Sequence, residues 1–410
     1  MISQLTLIIL LIIIISLILN LAKKNLILAP TIFVIVTQFI ISFTIFKSFG
    51  LIADEILYHE KAILLMESLN SGYGYQNFAV APGKGFFTDL LGTIYFMMGD
   101  PNPLSGLLLN ALIMGFIPSI MAISCKNFGL SKISTIVAWI FALTPSLIFW
   151  PAGLRREALA FLLVSISILA ISLLYRSKFF LSAILLFIAY LFAQDIRNQI
   201  IIMMISGFIA VLFLKYFKKI SKVLPKSKDN QGILYLIIIS QILFLWSIFR
   251  NEYLGYGTYI LEVSRSETTA APFVSWSFNS SLLGLPYNIF RVLFGPLLWE
   301  WNSVSMFAFG LEGLFYFIIV VIVVYSIISF KAYRTQFLIL LVFSLPLIFL
   351  SALVLGNYGL NSRIRAHYLI PLLPIVAVFI SNMPINFLNV MVKKFKTRLN
   401  LFLNKVRFYN

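Results

Sequence analysis

Charge is scarce in these 410 residues: 31 Lys and Arg, 14 Asp and Glu and 2 His stand against 61% apolar side chains. A soluble domain carries about 25% charged residues. The 11% found here excludes the polar surface that such a domain needs. Cysteine is nearly absent too. The single Cys125 excludes an intrachain disulfide and any cysteine-rich metal site. With only His59 and His367, a zinc cluster lacks ligands. There is no P-loop, no glycine-rich dinucleotide fingerprint, no metalloprotease helix and no Gly-x-Ser-x-Gly elbow. ATP-driven transport and soluble-type hydrolase chemistry therefore find no support within the chain. No internal repeat is evident, which argues against an inverted-repeat transporter.

What the chain has instead is long apolar runs and a mean hydropathy of +1.00. A helix needs about 20 apolar residues to cross a bilayer. Runs of that kind fall at 2–22, 27–46, 104–124, 133–149, 157–175, 179–194, 198–217, 231–250, 310–330, 336–355 and 366–384. The run 86–98 is also apolar, but it is short and contains Asp89; it reads as a helix lying in the outer interface. The N-terminal run lacks a basic leader and a small-residue cleavage site, so it reads as a span and not a signal peptide. The expected fold is all-α: a polytopic transmembrane helical bundle of about eleven spans. One membrane domain covers 1–384, and a basic tail covers 385–410.

Lys and Arg set the expected orientation. With the loop at Lys23 and Lys24 placed inside, alternation puts roughly two-thirds of the basic residues on the cytoplasmic side, the tail included. Asp229 is then the one acid inside. The alternation works only if 86–98 does not cross. The basic excess (pI ≈ 9.8) is thus explained by topology and anionic lipid, with no call for nucleic acid. Two long outer segments, 47–103 and 251–309, hold most of the Tyr, Trp, Gly and acid of the polar parts. Chemistry needs carboxylates, donors and room, and all three fall outside the cytoplasm.

The first outer segment carries the main signal. Asp54 and Glu55 follow the second span, and Tyr58-His59-Glu60-Lys61 comes next. Read as a helix, Asp54, Tyr58 and Lys61 share one face. Asn70-Ser71-Gly72-Tyr73-Gly74 breaks it, and Pro82-Gly83-Lys84-Gly85 leads into the run 86–98. The bland alternative is that these carboxylates are only solvated. The functional one is a general base, or a divalent-metal ligand, at headgroup depth.

An outward span, an Asp-Glu pair at its mouth, two interfacial helices and a span ending in the basic inner turn Cys125-Lys126-Asn127-Phe128-Gly129 together resemble the GT-C glycosyltransferase superfamily. Its relatives include protein O-mannosyltransferases, aminoarabinose transferases and family 39-like membrane glycosyltransferases. The likeness covers residues 27–217 in element order and recurs at Phe294–Glu300 and Asn357–Arg365. Pro82-Gly83-Lys84-Gly85 departs from the paired prolines common in the family, and the span 2–22 is additional.

The resemblance implies transfer of a sugar from a polyprenyl-phosphate donor to an extracytoplasmic glycan, lipid or protein acceptor, in the cytoplasmic membrane with the C-terminus inside. Asp54 matches the family's catalytic aspartate and would deprotonate the acceptor hydroxyl. Glu55 would assist, or join Asp54 in holding Mg²⁺ or Mn²⁺, though many members need no metal. The donor phosphate calls for cations at the outer interface. Candidates are Lys84, Arg155 and Arg156 in one short turn, Arg197 in another, and Arg363 with Arg365 before the last span. Arginines in such places can also snorkel to lipid phosphates or pair with Glu157 and Asp195. Tyr58, His59, Trp299 and Glu300 are candidate substrate contacts, although tryptophans near an interface commonly form an aromatic belt. Two competing readings are an O-antigen-type polymerase or ligase, which relies on outer-loop arginines, and a non-enzymatic carrier of lipid-linked glycans.

Overall fold

The computed structural model describes residues 28–51, 54–73, 85–220, 284–354 and 358–383. The described residues are 88% helical, with no strand among them. In chain order the helices are α1 Leu28–Phe49, α2 Asp54–Asn70, α3 Gly85–Met98, α4 Pro103–Asn127, α5 Ser134–Leu143, α6 Pro145–Phe149 and α7 Glu157–Tyr175. There follow α8 Phe179–Ile196, α9 Gln199–Ile220, α10 Leu285–Phe294, α11 Val304–Ser329, α12 Arg334–Val354, α13 Tyr358–Leu369 and α14 Leu373–Asn382.

Among the described residues, seven helical stretches are long and apolar enough to cross a membrane: Leu28–Phe49, Pro103–Asn127, Glu157–Tyr175, Phe179–Ile196, Met306–Ser329, Lys331–Ala352 and Tyr358–Asn382. The expected spans 2–22 and 231–250, Lys84 and the tail 385–410 lie outside the described residues. Where the sequence suggests one span over 133–149, the chain forms two helices. Thr144 is extended (φ −78°, ψ 115°) and Pro145 opens α6. The ring of Pro145 disfavours helical backbone at the residue before it and suits the first turn of the helix after it. The last stretch also differs from expectation. It is helical from Tyr358 and passes through a 3₁₀ turn at Ile370–Leu372, where Pro371 and Pro374 remove backbone donors. Arg363 and Arg365 therefore sit within a helix and not ahead of one. The expected interfacial run is α3, whose 14 residues reach about 21 Å, short of a crossing.

Helix ends follow local chemistry. Asn102 caps α4 by accepting from the Leu104 amide at 3.0 Å, with Pro103 at the first helical position. Ser303 caps α11 the same way. At the bundle's centre α4 packs between α1 and α7. Gly115 lets α1 approach closely, since a Cβ there would overlap Ile35. Thr31 and Ser119 hydrogen-bond across the same contact at 3.1 Å. Next to these, α2 lies on α3, and α13 reaches α6, α7 and α10. The N-terminus of α2, the turn between α6 and α7, the turn after α8 and the first turns of α13 are thereby gathered at one place.

Candidate functional site

Asp54 and Glu55 open α2, the end of a helix that favours negative charge. Successive helical residues point about 100° apart, so the two carboxylates take different partners. Glu55 Oε1 accepts from Arg155 Nε at 2.6 Å and is buried. Asp54 Oδ2 lies 3.7 Å from Arg363 Nη1, and its side chain is 43% exposed.

The centre of the site is Glu157, the first residue of α7. Its Oε1 takes Arg197 Nη2 at 3.3 Å and Arg363 Nη1 at 3.4 Å. Arg156 turns away to the carbonyl of Ile196 at 3.0 Å. Four guanidiniums (Arg155, Arg156, Arg197, Arg363) thus meet three carboxylates (Asp54, Glu55, Glu157). The cluster keeps one positive charge in excess. Burial and the neighbouring Arg156 pull Arg197 below the usual arginine value, while Glu157 opposes them. Nε of both Arg197 and Arg363 is buried without a hydrogen-bond partner among the described residues. The guanidinium of Arg363 also lies over the Trp150 ring, 5.6 Å from its centroid.

The turn carrying Arg155 and Arg156 is built for this placement. Gly153 has φ +106°, and a Cβ there would run into the Glu55 carboxylate; only glycine takes both conditions without strain. Its amide donates to Ser42 Oγ of α1 at 3.2 Å. Asn110, buried in α4, donates to the carbonyls of Gly153 and Arg155, both at 2.8 Å.

Other candidates fall elsewhere. Tyr58 is buried beside the cluster, edge-on to Phe87 at 5.2 Å. Burial pushes its phenol up to about 12, with Arg156 the first opposing charge. His59 points to α3, where Nδ1 meets Tyr95 Oη at 2.9 Å. Trp299 is 78% exposed. Glu300 belongs to a second network with Arg291, Tyr358 Oη at 3.0 Å and the Leu297 amide at 2.7 Å. Burial would raise Glu300, but those three hydrogen bonds hold it below the usual carboxylate range. Arg365 is not gathered with the acids. It stands two residues from Arg363, nearly opposite on the helix, and caps α10. Its Nε donates to Val292 O at 2.7 Å, and its Nη2 donates to Arg291 O at 3.2 Å and to Gly295 O.

A divalent cation does not fit Asp54 and Glu55. Glu55 is taken up by Arg155, and no group of three or more potential ligands forms among the described residues, whereas Mg²⁺ or Mn²⁺ wants several oxygens. Comparison of the chain with family models, curated proteins and solved structures finds no match.

The pivotal Glu157 escaped the sequence reading, which saw in it only a possible partner for outer arginines. Its position after Arg155-Arg156 at the start of an apolar run was the available signal. Asn110, polar within an apolar span, was another.

Proposed function

We propose that this chain is a GT-C-type membrane glycosyltransferase that moves a sugar from a polyprenyl-phosphate donor to an acceptor outside the cytoplasm. In this reading the chain makes about eleven crossings and has its C-terminus inside. One observation carries the reading: an accessible carboxylate, Asp54, lies 3.7 Å from Arg363, which belongs to a largely buried guanidinium cluster with a positive excess. Asp54 takes the proton of the acceptor hydroxyl as its oxygen bonds to the anomeric carbon. The bond from that carbon to the phosphate oxygen breaks. The leaving phosphate gains one negative charge, which Arg363 and Arg197 stabilise with N–H groups already in position. Glu157 holds both guanidiniums and needs no part in proton transfer.

The test is a purified-protein assay with a panel of polyprenyl-phosphate sugars, with product read by mass. Asp54→Asn should insert normally and lose about 10²–10⁴-fold in transfer, the usual worth of a general base. The majority of arginines in the cluster favours, as a second reading, a polymerase or ligase that works through arginine. That reading differs at the acid: Asp54→Asn stays active, while Arg197→Ala is impaired under both. No transfer from any donor by the intact protein would sink both and leave a carrier of lipid-linked glycans.

A further inference from the structure

Glu312 lies inside the membrane-crossing part of α11 and has no part in the chemistry above. An ionisable side chain at such depth is costly and is retained where it has work to do. Its neighbours indicate what that work is. Ser362 Oγ, from the residue just before Arg363, donates to Glu312 Oε2. The other carboxyl oxygen, Oε1, is buried without a hydrogen-bond partner among the described residues, and the positive charge of Arg365 acts on the same carboxyl. Trp150 stacks on Phe309, one turn earlier on α11, with ring centroids 6.3 Å apart and planes 14° from parallel. The upper face of Trp150 carries Arg363 at 5.6 Å. One support of Arg363, the helical residue preceding it, therefore meets this carboxylate, and the other, the ring under its guanidinium, packs on the same helix one turn earlier.

We propose that Glu312 is a positioning residue for Arg363, setting where the guanidinium meets the anionic part of the donor. The proposal rests on the reading of Arg363 given above. Misplacement by about 1 Å of a group that orients substrate can cost as much as 100-fold, so a carboxylate that never touches the ligand can still govern its binding.

The experiment is a double-mutant cycle of Glu312→Gln and Arg363→Ala in the full-length protein, read by donor KM and kcat with a polyprenyl-phosphate sugar and by Tm without ligand. Glu312→Gln can turn an amide N–H group toward the Ser362 hydroxyl donor. It should raise donor KM about tenfold with kcat within about twofold, and the effect should vanish in the Arg363→Ala background. Glu312→Asp, which keeps the charge, should recover part of the KM. A carboxylate that served stability alone would lower Tm and leave KM untouched. An unchanged KM, or the same effect with and without Arg363, overturns the proposal. If the wild type transfers sugar from no donor, the glycosyltransferase reading fails. The ligand-free Tm cycle then decides this one, coupled shifts supporting it and additive shifts overturning it. If Glu312→Gln does not fold, Glu312→Asp takes its place in the cycle, with a smaller rise in KM that should likewise vanish in the Arg363→Ala background.

Discussion

The Glu157 carboxylate, with a side chain only 2% exposed, accepts from Arg197, itself buried, and forms an ion pair with Arg363. A buried ion pair adds little over an apolar pair, but removing one partner strands the other charge. Glu157→Gln is expected to cost about 3–5 kcal/mol, seen as a large drop in Tm in detergent, whereas substituting exposed Glu67 should leave Tm nearly unchanged. His59 offers a pH test. Burial lowers its pKa below the ordinary 6.5, with Glu60 opposing. A histidine whose folded pKa is depressed is protonated more readily when unfolded. Its contribution is complete above about 6.5 and declines as the pH falls below that. Tm should therefore drop between pH 7.5 and 5.5, and His59→Gln, unable to take up the proton, should flatten that part of the curve. A profile identical in the two proteins would remove His59 from the account of the α2–α3 contact.

Helix α10 is anchored less by its own propensity than by α13. Helices leave their last carbonyls unsatisfied, and here Arg365 and Asn361 supply the donors: Asn361 Nδ2 reaches Val292 O at 3.0 Å and Tyr368 Oη reaches it at 3.2 Å. A planar guanidinium spreads its donors over three nitrogens in a fixed fork that reaches separated carbonyls, whereas an ammonium presents its three donors from a single atom. Arg365→Lys should cost on the order of 1–3 kcal/mol, the penalty for leaving buried acceptors unserved. It should loosen α10 in hydrogen exchange while sparing the amides of α2. Equal protection of α10 in both proteins would refute the capping role. The same element shows why helical spacing has to be applied to each arginine separately. Arg363 and Arg365 look like one basic pair in the sequence, yet a separation of two residues sends them to opposite sides of α13.

Across the whole molecule, the proposed orientation places the turn after α2 on the outer side. Ser71 is exposed there, while the one native cysteine, Cys125, is buried. Ser71→Cys should therefore react with a membrane-impermeant maleimide added to intact cells, over almost no background. Labelling only after lysis would reverse the topology and take Asp54 from the compartment assigned to it. The membrane class, the helical fold and most span positions were legible in the chain itself. Hydrocarbon solvation acts on every residue of a run independently of its partners, and the helix boundaries at Asn102-Pro103 and Asn70–Gly72 are local backbone chemistry, whereas the break at Thr144-Pro145 was hidden inside the apolar run 133–149. The candidacy of Asp54, Glu55 and the outer arginines also came from the sequence, through charges found at the ends of apolar runs. Their pairing did not. That Glu157 is the hub, that Arg363 turns to Asp54 while Arg365 caps α10, and that Glu312 meets Ser362 all depend on which helices touch. Contacts between residues as far apart in the chain as Asp54 and Arg363 are set by the packing of whole helices, and no local run of sequence encodes them.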